Sequence, residues 1–153
     1  MTEANPTFER ATEADLDELV AMMRALYAED EGFAFDEAVA RKGLALLLED
    51  DRNGRVWLIR MDGETAGYIV LATSFSLEYH GRDAFIDEVY VVPTWRDRGI
   101  GARALERAVE ECRAMGVAAV HLEVGHDNPK ARALYERLGF VDRRRYLMTR
   151  WIG

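Results

Sequence analysis

The sequence predicts a mixed α/β fold, in which helices cover both faces of a central, mostly antiparallel sheet of about six to seven strands. Two observations support this fold class. Apolar residues recur at helical spacing near the N-terminus and at strand spacing in the middle of the chain. The last third then reads as a strand-helix-strand-helix unit. The chain has 153 residues, which suits one domain, and we expect that domain to span 1–153.

The N-terminal third predicts a short strand and two helices. Thr7 to Arg10 forms the strand, and Thr12 with Asp15 resembles a capping box at the start of a helix. A second helix begins near Asp36. The connection between the helices is acidic from Glu29 to Gly32, which is either a solvated loop or the edge of a cation site. The apolar stripe of the first helix consists of Leu16, Leu19, Val20, Met23, Leu26 and Tyr27.

The remaining elements follow from β-branched and aromatic runs separated by turns. Val56 to Ile59 and Gly67 to Ser74 form a hairpin around the turn at 61–64, and Phe85 to Val92 is the next strand. After it come, in order, the loop Pro93 to Gly99, a helix from about Gly101 to Met115, the strand Val117 to Val124, a helix from about Pro129 to Leu138, and a final stretch Phe140 to Trp151.

Composition and charge exclude several classes of protein. A formal net charge of −8 disfavours nucleic acid and anionic membranes as partners and favours a small cationic molecule. No apolar run approaches a membrane span, and Met1 to Arg10 shows no targeting signal, so we expect a cytoplasmic protein. Cys112 has no disulfide partner and is expected to be a buried structural thiol. The three histidines, His80, His121 and His126, lack metal-ligand spacing, so we expect no metal.

The segment from Arg96 to Ala102 predicts an anion site. It follows a buried strand and opens a helix, where backbone N–H groups lack intrahelical partners and the helix dipole is positive. Gly99 and Gly101 allow a phosphate to approach the backbone, and Arg96 and Arg98 add full charges. A diphosphate is the expected ligand.

Two other interpretations of this segment stay open at the level of sequence. Gly99-x-Gly101-x-x-Ala104 loosely matches a dinucleotide fingerprint, with Glu123 near the spacing of a ribose carboxylate. However, the glycines follow the strand only after the intervening residues 93–98, and about 50 residues remain after Gly101. A turn that serves packing alone explains neither arginine.

The chain resembles the GNAT superfamily of N-acetyltransferases. Arg96-x-x-Gly99-x-Gly101 matches its coenzyme A signature, and the run from Asn128 to Phe140, with Tyr135 before Gly139-Phe140, looks like its second signature. The resemblance covers essentially the whole chain. It implies acetyl-CoA as cosubstrate, an amine acceptor that attacks directly without an acyl-enzyme, a sheet split between two central parallel strands, and a possible homodimer.

The resemblance also assigns roles to individual residues. The backbone of Val89, Tyr90 and Val91 would pair with the pantetheine arm, and Tyr135 would act as general acid towards the leaving thiolate. The pyrophosphate would be held by the amides of Arg98, Gly99, Ile100, Gly101 and Ala102, and the coenzyme arm by Asn128, Lys130 and Ala131. A coenzyme A-binding module without turnover is the alternative function.

An acidic pair, Asp87-Glu88, lies inside an otherwise apolar strand, where an unpaired carboxylate is costly. Because consecutive strand residues face opposite ways, only one of the two enters a given cavity, and we expect Glu88 to accept the proton of the amine, with Asp87 as the second candidate. A structural ion pair, or a strand end that reaches solvent, is the other interpretation. The surrounding sequence is similar to the polyamine and thialysine acetyltransferase branch, which implies substrate contacts by Tyr27, Glu29, Asp30 and Tyr79.

Overall fold

The computed structural model describes residues 5–30 and 34–153. The chain divides into two compact units, Met1–Leu122 and Glu123–Gly153. The mixed α/β class is confirmed by a five-stranded sheet and four helices among the described residues. That the whole chain forms one domain stays a prediction.

The first unit contains all five strands and three of the helices. The elements are β1 (Thr7–Arg10), α1 (Leu16–Glu29), α2 (Glu37–Glu49), β2 (Gly54–Met61), β3 (Glu64–Ser76), β4 (Gly81–Val91), α3 (Ile100–Ala114) and β5 (Ala119–His121). The strands follow chain order across the sheet. β1 to β4 pair antiparallel, whereas β5 pairs parallel to β4.

Helix starts agree with the predicted caps. The backbone N–H of Thr12 donates to Asp15 Oδ2 at 2.8 Å, and a 3₁₀ turn at Glu13–Asp15 leads into α1. Asp36 Oδ1 accepts from the Val39 N–H at 3.2 Å and caps α2. These side chains satisfy backbone donors that the first helical turn leaves without partners.

Helices lie against both faces of the sheet. On one face, α1 and α2 bury a core formed with alternating residues of β2 and β3, and Tyr90 of β4 joins it. Its strand residues are Val56, Leu58, Tyr68, Val70 and Tyr90. α3 contacts β3, β4 and β5 and buries its own apolar stripe, consisting of Ile100, Ala104, Leu105, Ala108 and Cys112. Cys112 is buried, as predicted.

The described residues form five strands, fewer than the six to seven expected. The second unit contains one helix, α4 (Pro129–Arg137), and residues 140–153 form no strand. Because the second unit contains no strand, residues 140–153 have no pairing partner within it. The strand expected over Val117 to Val124 is limited to β5, because its ladder with β4 covers only Asp83 to Phe85.

Among the residues described, no helix combines the length and the hydrophobicity that are needed to cross a bilayer.

Candidate active site

A bulge in β4 determines which way the acidic pair faces. Val70 of β3 lies opposite Glu88, and the next residue, Leu71, lies opposite Ile86, so Asp87 is an extra residue without an opposite partner. A bulge bends its strand and re-aims the side chains that follow. Because directly opposite side chains share a face, Glu88 points with Val70 towards the face covered by α1 and α2.

Two tyrosine hydroxyls bind the Glu88 carboxylate. Tyr27 of α1 donates to Oε2 at 2.9 Å, and Tyr68 of β3 donates to Oε1 at 2.8 Å. Tyr68 is fully buried, and Tyr27 and Glu88 are half-buried. Burial raises the pKa of Glu88, and the two hydrogen bonds oppose that rise. Burial and the neighbouring Glu88 charge raise the pKa of both phenols, which therefore stay protonated donors at neutral pH.

Asp87 has a different environment. Partial burial raises the pKa of its carboxyl, and the residue as a whole is solvent-exposed. Of the two acidic residues, Glu88 is therefore the one held by partners on the α1 and α2 face.

The edge of β4 that faces β5 is open beyond the bulge. The β4–β5 ladder ends at the pair Phe85 and His121, two residues before Asp87, whereas the β3–β4 ladder continues to Val91. Within the first unit, Val89 to Val91 thus lie where no further pairing with β5 is present. This is the place at which an extended ligand can add to a sheet edge.

The anion site predicted at the start of α3 has suitable backbone geometry. Gly99 has a left-handed φ of 76° and precedes the helix, which begins at Ile100. A Cβ atom on Gly99 or Gly101 would meet no other atom within 4 Å, so the backbone there is open to a ligand. The first N–H groups of the helix have no intrahelical partners and suit an anion.

The two arginines of this loop differ in their contacts. The Arg98 guanidinium lies 4.7 Å from the centroid of the Trp95 ring, on which it stacks. Arg96 Nε donates to the Val91 carbonyl at 2.8 Å, and its Nη2 lies 2.7 Å from Glu29 Oε1. Glu29 therefore balances the charge of Arg96, which ties the loop after β4 to the end of α1.

A second polar cluster lies on the same sheet face as Glu88. Asp83 is 4% exposed, and its oxygens accept from Ser74 Oγ at 2.6 Å and bind His121 Nε2 at 3.0 Å. The His121 ring contacts Tyr79 and Phe85 at centroid distances of 4.3 and 4.9 Å. Tyr79 thus packs on His121. The other residues predicted from the acidic connection are Asp30, which ends α1, and Glu31 and Gly32, which lie outside the described residues.

The sequence did not indicate Tyr68, Asp83 or His121 as site residues. Tyr68 reads as one more aromatic residue in a buried strand, and the spacing of His121 indicates no metal site. The alternation of β4 alone places Asp83 and Glu88 on opposite faces. The bulge restores them to one face, and nothing in the residue pattern marks a bulge at Asp87.

In the second unit, the predicted residues surround the ends of α4. Asn128 Oδ1 accepts from the Ala131 N–H at 3.1 Å and caps the helix, with Lys130 in its first turn. Tyr135 is half-buried, and its ring lies 6.3 Å from that of Phe140. Burial raises the pKa of Tyr135, which keeps its hydroxyl protonated.

The grouping of side chains and the strand directions provide evidence on a metal site and on the dinucleotide alternative. Over residues 5–30 and 34–153, no three histidine, cysteine or acidic side chains are grouped as metal ligands. The strands on the β3 side of β4 are antiparallel, which does not fit the parallel, doubly wound sheet of dinucleotide-binding domains.

Comparison with known proteins supports one family. The family described as Acetyltransferase (GNAT) family matches residues 20–140. A protein of Archaeoglobus fulgidus, named an uncharacterized N-acetyltransferase, is 32% identical over 82% of this chain and 86% of its own length. A mouse thialysine N-epsilon-acetyltransferase is 31% identical over 56% of this chain and 52% of its own length. The crystal structure of an integron cassette protein from the Cole Harbour Salt Marsh metagenome superposes with a TM-score of 0.83 at 34% identity, covering 95% of this chain and 90% of that one.

Proposed function

Because this chain belongs to the GNAT acetyltransferase family and is an acetyl-CoA-dependent N-acetyltransferase, we propose that its acceptor is a small cationic amine such as a polyamine or a lysine analogue. The observation that carries the proposal is the Glu88 carboxylate, held by Tyr27 and Tyr68 beside the open edge of β4.

The acceptor must lose a proton before it reacts. An alkylammonium with a pKa near 10.4 costs roughly 4–5 kcal/mol to deprotonate at pH 7. Glu88 takes this proton directly or through a water molecule. The amine nitrogen then bonds to the acetyl carbonyl carbon, the carbon–sulfur bond breaks, and coenzyme A leaves as a thiolate that takes up a proton. In this proposal, Tyr135 is the phenol that supplies it.

Acetyl-CoA supplies the acyl group, and residues of the first unit suit its different parts. The N–H groups of Arg98 to Ala102 would hold the pyrophosphate. The open backbone of Val89 to Val91 would pair with the pantetheine arm. The roles of Arg96, Asn128, Lys130 and Ala131 in coenzyme binding stay predictions, and Arg96 already has Glu29 as a charge partner.

Charge and aromatic rings support a cationic acceptor. The net charge is −8, and the face that carries Glu88 also presents Tyr27, with Asp30 at the end of the same helix. Such surroundings attract protonated amines through charge and through contacts with ring faces. The 31% identity to a thialysine acetyltransferase points to the same substrate class.

A panel of acceptors tests the proposal. Release of coenzyme A thiol would be measured for the wild type and for Glu88→Gln. The acceptors would be diamines, polyamines, lysine analogues, aminoglycosides and acceptors that are neutral at the assay pH. We expect the linear cationic amines to react fastest and Glu88→Gln to lower kcat by about 10²-fold or more. Equal rates for cationic and neutral acceptors would refute the substrate class. Coenzyme binding with no thiol release from any acceptor would instead support a binding module.

A further inference from the structure

Glu88 is held by two phenols that come from two different elements. Tyr27 approaches from α1 and Tyr68 from β3, and each donates to a different carboxylate oxygen at 2.9 and 2.8 Å. We propose that Tyr27 and Tyr68 form a tyrosine clamp that keeps Glu88 ionised and fixes the direction in which its oxygens accept a proton. In this scheme both hydroxyls are positioning groups that act through Glu88.

The protonation states of the three groups support the clamp. A protonated carboxylic acid has one oxygen that donates, so it cannot accept from a phenol equally well at both oxygens. Two phenols that both donate therefore match the carboxylate form. Each hydroxyl has a single proton, and in this arrangement each directs it at Glu88. Each Glu88 oxygen still has accepting capacity left for the proton of an amine.

The clamp opposes an effect that would otherwise neutralise Glu88. Burial favours the uncharged acid and raises the pKa of Glu88, whereas the two hydroxyls lower it. Asp87 adds a further negative charge that acts in the raising direction. Among the described residues of the first unit, the groups that act on the Glu88 charge are Tyr27 from α1, Tyr68 from β3 and Asp87 from its own strand. Asp30 acts one step away, through Tyr27.

The two phenols have unequal freedom. Tyr68 is fully buried, and its ring lies 6.1 Å from that of Tyr90, the residue opposite it in the β3–β4 pair. Tyr27 lies on the last turn of α1, half-buried, with its ring edge-on to Phe35 at 5.7 Å. The core therefore fixes one Glu88 oxygen, while the other depends on the position of α1.

The inference rests on the proposed role of Glu88, so its test has one readout that is independent of activity. Glu88 would be titrated through its side-chain carboxyl ¹³C signal in the wild type, Tyr27→Phe and Tyr68→Phe, with Glu88→Gln to assign the signal. Tyr146→Phe is the matched control, because Tyr146 is exposed and has no role in the proposed site. The pH dependence of kcat/KM would be measured for the same variants.

Loss of either hydroxyl removes a hydrogen bond to the charged form, so the pKa of Glu88 should rise by roughly one pH unit. The acidic limb of kcat/KM should move upward by the same amount, which lowers the rate about tenfold at a pH below that limb. The KM for acetyl-CoA should stay unchanged. Tyr146→Phe should reproduce the wild type in both measurements.

Each departure from this result has a distinct meaning. An unchanged Glu88 titration in Tyr27→Phe and Tyr68→Phe would overturn the clamp. If the titration moves while the pH–rate profile does not, the clamp stands and the role of Glu88 as proton acceptor fails. If Tyr68→Phe lowers the folded population, the result for Tyr27→Phe decides whether the clamp stands. Tyr27 is only half-buried, so its substitution leaves the central core unaltered.

Discussion

Tyr135 illustrates how one residue satisfies both a catalytic prediction and a structural one. The N–H of Phe140 donates to the Tyr135 carbonyl at 3.0 Å, and the N–H of Gly139 donates to the Glu136 carbonyl at 3.1 Å. Gly139 has a left-handed φ of 95°. These two bonds form a Schellman motif at the end of α4, and the contact between the Tyr135 and Phe140 rings is the apolar pair that accompanies it. The spacing Tyr135, Gly139, Phe140 therefore has a reason in helix termination alone.

The substitution Tyr135→Phe separates the two roles. It keeps the ring, so the helix end and the thermal midpoint should be unchanged within about 2 °C. If the hydroxyl protonates the thiolate, kcat should fall by about 10²-fold or more. Gly139→Ala serves as the structural counterpart, since a left-handed φ should make it less stable by about 1 kcal/mol with the hydroxyl intact. Full turnover by Tyr135→Phe would leave only the structural role.

The thiol of Cys112 should be unreactive in the native protein. Burial, followed by the charge of Glu111, raises its pKa to about 11, so the thiolate is scarce at pH 8. A chromogenic disulfide reagent should therefore label less than about a tenth of the protein under native conditions. In denaturant it should label one thiol per chain, because the chain has a single cysteine. Rapid native labelling would show that α3 opens readily.

At the scale of elements, the sequence predicts most of the architecture, because caps, turns and apolar periodicity are local signals. β1 has the predicted bounds, and Asp36 and Asn128 cap their helices through their own side chains. The bulge at Asp87 and the short β5 do not follow from such local signals. Both depend on how neighbouring strands register with one another, and a single strand does not encode this in its residue pattern.

The contact of β3 with β4 depends on the absence of a side chain at Gly67. A Cβ atom there would lie 1.9 Å from the Tyr90 carbonyl oxygen, so Gly67→Ala must push the two strands apart. We expect it to lower the free energy of unfolding by roughly 1–3 kcal/mol, measured by denaturant titration. Because Tyr90 lies in the proposed pantetheine-binding strand, affinity for acetyl-CoA should fall as well.

Gly43→Ala is the matched control for this prediction. Gly43 is exposed in the interior of α2, and a Cβ atom there meets nothing within 4 Å. The same substitution should therefore stabilise the protein by about 0.5–1 kcal/mol through higher helix propensity. Destabilisation of similar size at both positions would contradict the close approach at Gly67.

At the scale of the whole molecule, the net charge of −8 predicts how binding responds to salt. Raising the ionic strength from about 0.05 M to about 0.5 M shortens the Debye length to a few ångströms and screens attraction between a polycation and the protein. The KM of a triamine should rise severalfold, while that of a neutral acceptor stays nearly constant. Parallel changes in both values would show that the acidic surface plays no part in acceptor binding.

The candidate site was predictable in its parts but not in its connections. The loop at Gly99, the strand Val89 to Val91 and the pair Asp87-Glu88 follow from motifs and strand patterns. The bonds from Tyr27 and Tyr68 to Glu88 join residues separated by 61 and 20 positions. Such contacts arise from the packing of α1 on the sheet, and packing of this range has no local signature in the sequence.

The extra residue in β4 has a consequence for how the gene can change. Loss of the single codon for Asp87 would restore strict alternation while leaving Phe85 and Glu88 on their present face, so the carboxylate would keep both phenols. The straightened strand would lose its bend, however, so Val89 to Val91 would take a new direction relative to β5. A lineage carrying that deletion would retain the Glu88 carboxylate with its two phenols, yet present a different strand edge to the proposed pantetheine arm.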